Sequence, residues 1–204
     1  TLIKFDNVLN DQRQVIFSQR KEILHTKEIS QFIDKLLEDE INQILIEKNR
    51  LVSIEKNKLF KNKIEVLLQN DDKDYINKIF SSNQNEIKLA IQKKFIEKRK
   101  YRISKISDIG NADLERKIFL QIIDLNWKNH IQYLEQLRQV IGLRSYGQRD
   151  PLVEYKKESY KLFENLLEKI RQDTLVLLLN LRIAEESVQT KQNDDKVNTY
   201  RKKI

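Results

Sequence analysis

Residues 120–170 read LQIIDLNWKNHIQYLEQLRQVIGLRSYGQRDPLVEYKKESYKLFENLLEKI. In the first half of this stretch, apolar and aromatic side chains recur at alternating spacings of three and four residues, as they do along one face of an α-helix. This spacing is typical of the seam of an antiparallel helical hairpin or coiled coil. The seam consists of Leu120, Ile123, Trp127, His130, Leu134, Leu137 and Ile141.

A second apolar row follows the first and is the predicted partner of the seam. Between the two rows, residues 142–151 hold two of the three glycines and the only proline, so we place the turn there. Asp150 can cap a helix that starts at Pro151, which predicts helices from about Asp113 to Leu143 and from Pro151 onward. Residues 175–183 are apolar nearly all round and are expected to be buried against more than one neighbour. The second row consists of Tyr155, Leu162, Phe163, Leu166, Ile170, Thr174, Leu177 and Leu181.

Composition sets the fold class of the whole chain. The 204 residues carry 39 Lys and Arg against 31 Asp and Glu, a net charge of +8, with three Gly, one Pro and neither Cys nor Met. Disulfide scaffolds and thiolate metal sites are excluded, and folds rich in turns need more Gly and Pro. We therefore predict an elongated all-α protein with a thin core and long helices.

The chain divides into four predicted segments. Residues 1–48 form a helical first part with Asp6 or Asn10 as its cap, and His25-Thr26 marks a break that leaves one bent helix or two helices open. Residues 49–108 form a small helical insertion, residues 109–186 contain the hairpin, and residues 187–204 form a polar linker or tail. One apolar row runs along the first part and consists of Ile29, Phe32, Ile33, Leu36, Leu37, Ile41, Ile44 and Leu45.

The insertion ends in a basic stretch. Residues 88–105 contain eight Lys or Arg and the single acid Glu97. A solvated helix face explains this charge most simply, and the alternative is an electrostatic contact with anionic lipid or nucleic acid. No run of about 20 apolar residues or secretory signal is found, so we expect a soluble, cytosolic piece. Since it begins with Thr1 and lacks Met, we expect it to be a fragment of a longer protein.

No catalytic or metal site is predicted. Gly142 and Gly147 have the spacing of a phosphate-binding loop, but Gln148-Arg149 stand where that loop needs Lys and Ser or Thr, and a helix precedes it instead of a strand. The two histidines, His25 and His130, lack a metal-ligand spacing. We interpret His130 and Trp127 as packed residues of the hairpin core.

The hairpin tip carries the most informative surface residues. A turn needs polar residues in any case, which accounts for Ser145, Gly147 and Gln148. An exposed aromatic ring, Tyr146, between two arginines, Arg144 and Arg149, is less expected. Because tyrosine offers an apolar face and a hydroxyl at low entropic cost, this combination suits contact with a polypeptide.

The sequence resembles the C-terminal helical part of SecA, the motor ATPase of bacterial preprotein translocation. Three blocks carry the resemblance. FDNVLNDQRQVIFSQRKEIL at residues 5–24 resembles the start of the family's long scaffold helix, and residues 120–170 resemble its two-helix finger. AIQKKFIEKRK at residues 90–100 is more loosely similar to the end of its helical wing. The segments above then correspond to the first part of the helical scaffold, the wing, the finger with the rest of the scaffold, and a linker.

The resemblance implies a role in protein export. In the family, the finger tip enters the cytoplasmic mouth of the SecY channel and its aromatic residue contacts the translocating chain; by position this residue is Tyr146. The expected partners are the preprotein, the SecYEG channel, the ATPase domains of the same parent and, weakly, anionic lipid. ATP and magnesium would bind those absent ATPase domains, so this fragment would not be an enzyme, while its parent would be an ATP-hydrolysing translocase. The family's cysteine-rich, zinc-binding tail is not expected within this piece, because these residues include no Cys.

Two other functions stay open. A basic coiled-coil module could bind nucleic acid, although single-stranded sites usually present several stacking aromatics and only one exposed tip aromatic is evident. A purely structural scaffold would make the tip residues dispensable. The resemblance itself favours a non-catalytic arm on the cytoplasmic face of the inner membrane, with no specific nucleic acid partner.

Overall fold

A computed structural model describes residues 2–50, 54–68, 73–144, 150–181 and 183. These residues form helices α1 (Leu2–His25), α2 (Ile29–Asn49), α3 (Ile54–Leu68), α4 (Lys73–Ser81), α5 (Gln84–Arg144) and α6 (Pro151–Asn180). No strand occurs in this described part of the chain. The all-α prediction is confirmed.

The first part of the chain is two helices, α1 and α2, which settles the question left open at His25-Thr26. The Arg116 guanidinium of α5 donates to the carbonyl oxygens of Ile23 and Thr26, at 3.2 and 2.7 Å. These bonds satisfy carbonyls that a helix end leaves without partners, so they stabilise the break. The Thr26 hydroxyl accepts from the Glu28 amide at the turn. The predicted cap at Asp6 or Asn10 is wrong, because α1 already begins at Leu2.

The apolar row of α2 lies as the spacing predicts. Five of its members are buried, and Phe32, Leu36 and Leu45 are partly buried against the same core. A row of this width buries one face of the helix and leaves the opposite face in water. The five buried members are Ile29, Ile33, Leu37, Ile41 and Ile44.

Helix α5 begins at Gln84, far before the predicted start near Asp113, and it is interrupted once. At Ser107 the backbone has φ 67° and ψ 171°, so residues 84–106 and 108–144 are two helical halves joined at a kink. The Ser107 hydroxyl accepts from the Gly110 amide at 3.3 Å, which makes Ser107 the cap of the second half. The predicted start of this half near Asp113 was therefore about five residues late, because the cap was not recognised.

The hairpin consists of residues 108–144 packed against α6. Asp150 caps α6 as predicted, since its carboxylate accepts from the Leu152 amide at 2.9 Å and Pro151 follows it. In the second row, Leu177 is 41% exposed, and the prediction for it is wrong. Near its end α6 also packs on α2 and α3, so Leu175, Leu178 and Leu179 face inward instead.

Helix α3 packs on α4 and α6, and α4 packs on α5. Lys63 of α3 also pairs with Glu47 of α2. Their buried side chains are Phe60, Ile64, Leu67, Leu68, Ile76 and Ile79, and they continue one apolar core with Ile87, Ile91 and Phe95 of α5. The core thus runs from the insertion into the base of the hairpin.

Candidate functional site

The predicted contact residues lie at the connection between α5 and α6. Ser145, Tyr146, Gly147, Gln148 and Arg149 lie outside the described residues, as does the side chain of Arg144, whose backbone ends α5. The structure describes the two helices on either side of this connection. The role of the tip remains a prediction, and the supporting hairpin can be described in detail.

The hairpin core places four of the five predicted core residues in the interior. Trp127, His130, Leu134 and Ile141 are between 1% and 9% exposed, and Leu137 is half-buried. The Trp127 and His130 rings lie 5.6 Å apart between centroids. Large buried aromatic side chains of this kind contribute strongly to holding two helices together.

His130 connects three helices through one glutamine. Gln12 of α1 donates through Nε2 to the Ser159 carbonyl oxygen of α6 at 3.2 Å, and its Oε1 lies 2.8 Å from His130 Nε2. Since a carbonyl can only accept, Gln12 must present its oxygen to the ring, and His130 Nε2 carries the proton. Burial lowers the pKa of His130 from 6.5 to about 4, so the ring is neutral at pH 7.

Helix α1 braces the hairpin close to its tip. The Phe5 and Tyr155 rings make an edge-on contact with centroids 4.8 Å apart, and Arg138 of α5 forms an ion pair with Asp6 of α1 at 3.3 Å. Burial raises the pKa of the Tyr155 hydroxyl. Because Tyr155 lies only four residues after Pro151, the packing of α1 extends almost to the turn. Helix α1 therefore supports the hairpin near the turn through one aromatic and one ionic contact.

The base of the hairpin contains a buried ionic cluster that sequence reasoning missed. Glu115, 0% exposed, accepts from Arg99 Nε at 2.9 Å and from Arg102 Nη2 at 3.1 Å. Arg102, also 0% exposed, donates to Asn111 at 2.9 Å and to the Leu178 carbonyl oxygen at 2.6 Å. Burial lowers the pKa of Arg102, while Glu115 opposes that shift. We call these four side chains, Arg99, Arg102, Asn111 and Glu115, the base cluster.

The base cluster corrects the interpretation of the basic stretch 88–105. Arg102 is fully buried and the Arg99 side chain is 15% exposed. Their charges are matched by Glu115 and, for Arg99, by Asp34 of α2. Two of the eight basic residues therefore do not belong to a solvated face. The sequence did contain a signal for this cluster: Asn111 and Glu115 are four residues apart, so they share one face of the helix that follows Ser107.

A second buried carboxylate joins the insertion to α6. Glu40 of α2, 1% exposed, accepts from Arg171 of α6 at 2.8 Å and lies 3.4 Å from Lys63 of α3. Burial disfavours the charged Lys63 amine, but Glu47, Glu40 and Glu168 together hold its pKa above its ordinary value. The base of the hairpin is thus bound to the insertion by two buried acids, each with two basic partners.

A cleft lies between the two hairpin helices. It is lined by amides and by Tyr133 and Leu162, and its floor includes His130. Asn126 on its edge donates to Asp173 at 3.0 Å. Among the described residues, no group of His, Asp and Glu is placed to hold a metal ion. A search of that same part found no helix of the length and apolarity needed to cross a bilayer.

Comparison with known proteins identifies the chain's relatives. A family model described as "SecA Wing and Scaffold domain" matches residues 1–182. A protein translocase subunit SecA from Pelagibacter ubique is 49% identical over 187 residues, which cover 91% of this chain and 22% of the relative. A protein translocase subunit SecA from Thermodesulfovibrio yellowstonii is 38% identical over 191 residues, which cover 91% of this chain and 20% of the relative. The SecA subunit from Halothermothrix orenii is 33% identical over 196 residues, which cover 92% of this chain and 22% of the relative. The chain spans about a fifth of the length of the curated relatives it matches.

Proposed function

The chain belongs to the SecA wing and scaffold family, and from this membership we propose that it is the non-catalytic helical arm of a protein translocase. The arm contacts a preprotein and the SecYEG channel through its hairpin tip. Domains of the same parent bind ATP and magnesium and hydrolyse ATP. The arm converts their movements into displacement of polypeptide.

The observation that carries this proposal is the bracing of the hairpin by α1. An arm that transmits force must be rigid close to the point where it contacts the preprotein. Here Phe5 and Asp6 of α1 contact Tyr155 and Arg138, close to the tip, and Gln12 ties α1 to both hairpin helices. Three packed helices resist bending better than two, so movement at the base reaches the tip.

The residue types of the predicted tip suit the binding of polypeptides of variable sequence. Tyr146 offers a ring that packs against apolar side chains and a hydroxyl that bonds to backbone, without selecting one sequence. In the sequence, Arg144 and Arg149 stand on either side of Tyr146 and offer donors for carbonyl or acidic groups, and Ser145, Gly147 and Gln148 are the other residues of the predicted turn. This combination binds many polypeptides weakly, as a translocating motor requires.

The proposed location is the cytoplasmic face of the inner membrane, with peripheral association through the channel. Contact with anionic lipid is at most weak and salt-sensitive, because Arg99 and Arg102 are matched by internal carboxylates and contribute little to an exposed basic surface. The same observation weakens the alternative of a nucleic-acid module, whose affinity depends on exposed positive charge.

Crosslinking from position 146 tests the proposal. A photoreactive residue replaces Tyr146 in the intact translocase, which is then engaged with SecYEG and a preprotein arrested in transit. We expect crosslinks to preprotein and to the channel. A matched probe at Tyr160, which is 63% exposed on α6, controls for general proximity and should give far fewer preprotein crosslinks.

Translocation assays supply the functional counterpart. Tyr146→Phe, Leu or Met should retain most transport of a reporter preprotein into vesicles, whereas Tyr146→Ala, Gly or Asp should lose much of it. Basal ATP hydrolysis should survive in all variants, because catalysis resides in other domains. If Tyr146→Ala transports like the unaltered protein, the tip is only a turn and the arm is a structural scaffold.

A further inference from the structure

The kink at Ser107 lies between two parts of the molecule that share a helix. On one side are α3, α4 and residues 84–106, which we call the wing side. On the other are residues 108–144 and α6, which form the hairpin. Every rotation of one part against the other that leaves both halves of α5 intact must turn the backbone at or beside Ser107.

Ser107 holds a backbone conformation that non-glycine residues rarely adopt. Its φ of 67° and ψ of 171° fall in a region that is accessible essentially to glycine alone. It is the only non-glycine residue with positive φ in the described part of the chain. Such strain persists only where surrounding contacts impose it, so the question is which contacts hold this kink.

The base cluster lies across the kink. Arg99 and Arg102 stand five to eight residues before Ser107, and Asn111 and Glu115 stand four to eight residues after it. The Leu178 carbonyl oxygen, near the end of α6, accepts from Arg102 as well. Straightening or rotating α5 at Ser107 would separate these partners and leave buried charges unpaired.

A second attachment spans the same joint. Glu40 links Lys63 of α3, on the wing side, to Arg171 of the hairpin. Buried ion pairs depend steeply on geometry, so they favour one arrangement and fail together when the partners separate. The joint therefore combines a strained pivot and two ionic attachments, which are either made or broken, with the apolar core that α3 shares with the end of α6.

We propose that Ser107 is a hinge on which the wing side turns relative to the hairpin, and that Glu115 and Glu40 are the latches that hold it in the arrangement seen here. In the latched state Glu115 of the hairpin binds Arg99 and Arg102 of the wing side. Glu40 of α2 binds Lys63 of the wing side and Arg171 of the hairpin. In the unlatched state Ser107 relaxes from its strained conformation and the wing side leaves the end of α6. A partner that binds one state better than the other shifts the balance between them.

The chain suits a direct measurement of this hinge, because it contains no cysteine. Cysteines introduced at Ile96 and Leu125, which are 50% and 60% exposed, carry spin labels on the two sides of Ser107. A straight helix would separate these positions by about 44 Å at ~1.5 Å per residue. Distances between the labels in the full chain then report the kink.

The unaltered chain should give one narrow distance distribution. Glu115→Gln should add a second population, and combining it with Glu40→Gln should enlarge that population. Asp124→Asn is the matched control, because it removes an exposed ion pair between Asp124 of the hairpin and Arg20 of α1. This variant should leave the distance distribution unchanged. An unchanged distribution in Glu115→Gln would overturn the proposal. If Glu115→Gln fails to fold, Arg99→Gln, which leaves Arg102 paired, decides by the same criterion.

Two substitutions at the pivot give an independent test. Ser107→Gly loses the cap bond to Gly110 but removes the strain, so its midpoint of thermal unfolding should lie a few degrees above that of Ser107→Ala. Ser107→Ala keeps the strain and loses the cap bond to Gly110, so the midpoint should fall. In the Glu115→Gln background, Ser107→Gly should change the ratio of the two populations. A Ser107→Gly chain less stable than Ser107→Ala would show that the pivot is not strained and would overturn the proposal.

Discussion

The hairpin and the joint at its base are held together by different chemistry. Along the hairpin, Trp127, Leu134 and Ile141 bury apolar surface against α6, and such contacts tolerate small shifts. At the joint, Glu115 and Glu40 bind basic groups from neighbouring helices through bonds that require fixed distances. Apolar burial stabilises both regions, since the core continues into the joint through Leu175, Leu178 and Leu179. The comparison teaches that the buried ion pairs add a fixed arrangement of the helices at the joint to that stability.

The largest expected effect is in the hairpin. Trp127→Ala should lower the free energy of unfolding by about 3 to 5 kcal/mol, because the lost apolar area leaves a cavity between α5 and α6. Chemical denaturation of the chain measures this change. Leu125→Ala, two residues away and 60% exposed, is the control and should cost no more than about 0.5 kcal/mol. Equal costs for the two variants would mean that the seam does not hold the hairpin.

This region was the one that the sequence predicted well. Apolar spacing of three and four positioned Ile123, Trp127 and Ile141 on one face, and Asp150-Pro151 marked the start of α6. Such signals are local: a helix of 3.6 residues per turn converts spacing into a face with no knowledge of the partner. The local pattern misled at Leu177, where α6 packs on additional helices, and it overstated the burial of Leu137, which is half-buried.

The joint could not be predicted in the same way. Arg102 in a run of lysines reads as a solvated charge, and its burial depends on Glu115 and on the end of α6, 76 residues away. Ser107 reads as an ordinary polar residue, although it caps a helix and kinks α5. The domain boundaries near it and the role of Tyr146 also depend on partners that one chain does not contain, and they stay predictions.

A second prediction sharpens the comparison at the joint. Glu40→Gln should lower the free energy of unfolding by about 3 kcal/mol, because Arg171 and Lys63 then lose a buried counter-charge. Glu40→Leu combined with Arg171→Met and Lys63→Met should recover most of that loss, since apolar residues of similar size often replace buried ion pairs without cost. Denaturation of both variants measures this. If the triple variant stays as unstable as Glu40→Gln, the joint contributes stability as well as shape.

A third prediction concerns pH and the contact between α1 and the hairpin. The pKa of His130 is about 4 in the folded chain and about 6.5 when unfolded, so the unfolded chain binds more protons between these values. Stability should therefore be complete above pH 6.5 and fall as pH drops toward 4. The loss should be about 2 kcal/mol, less than the full shift would give, because the ring borders the cleft along the hairpin.

Denaturation at a series of pH values checks this dependence. His130→Gln should flatten the fall between pH 6.5 and 4, while the control His25→Gln keeps it, since His130 is still present. A fall of unchanged size in His130→Gln would assign the pH dependence to other groups. Protonation of His130 would then not be the cause of the lower stability of the hairpin at acidic pH.

The smallest expected effect on stability is at the tip, and there it matters most for function. Tyr146 stands in the sequence between the end of α5 and the start of α6, where an exposed turn is predicted, so Tyr146→Ala should change the free energy of unfolding by no more than about 0.5 kcal/mol, as surface substitutions do. Denaturation of the chain measures this, with Tyr155→Ala as the contrast: Tyr155 is 3% exposed and contacts Phe5, so its truncation should cost several times more. If Tyr146→Ala stops transport without changing stability, Tyr146 acts through a contact with a partner outside the arm. A cost for Tyr146→Ala equal to that for Tyr155→Ala would instead make Tyr146 part of the packing, and any loss of transport in that variant would then follow from a damaged hairpin.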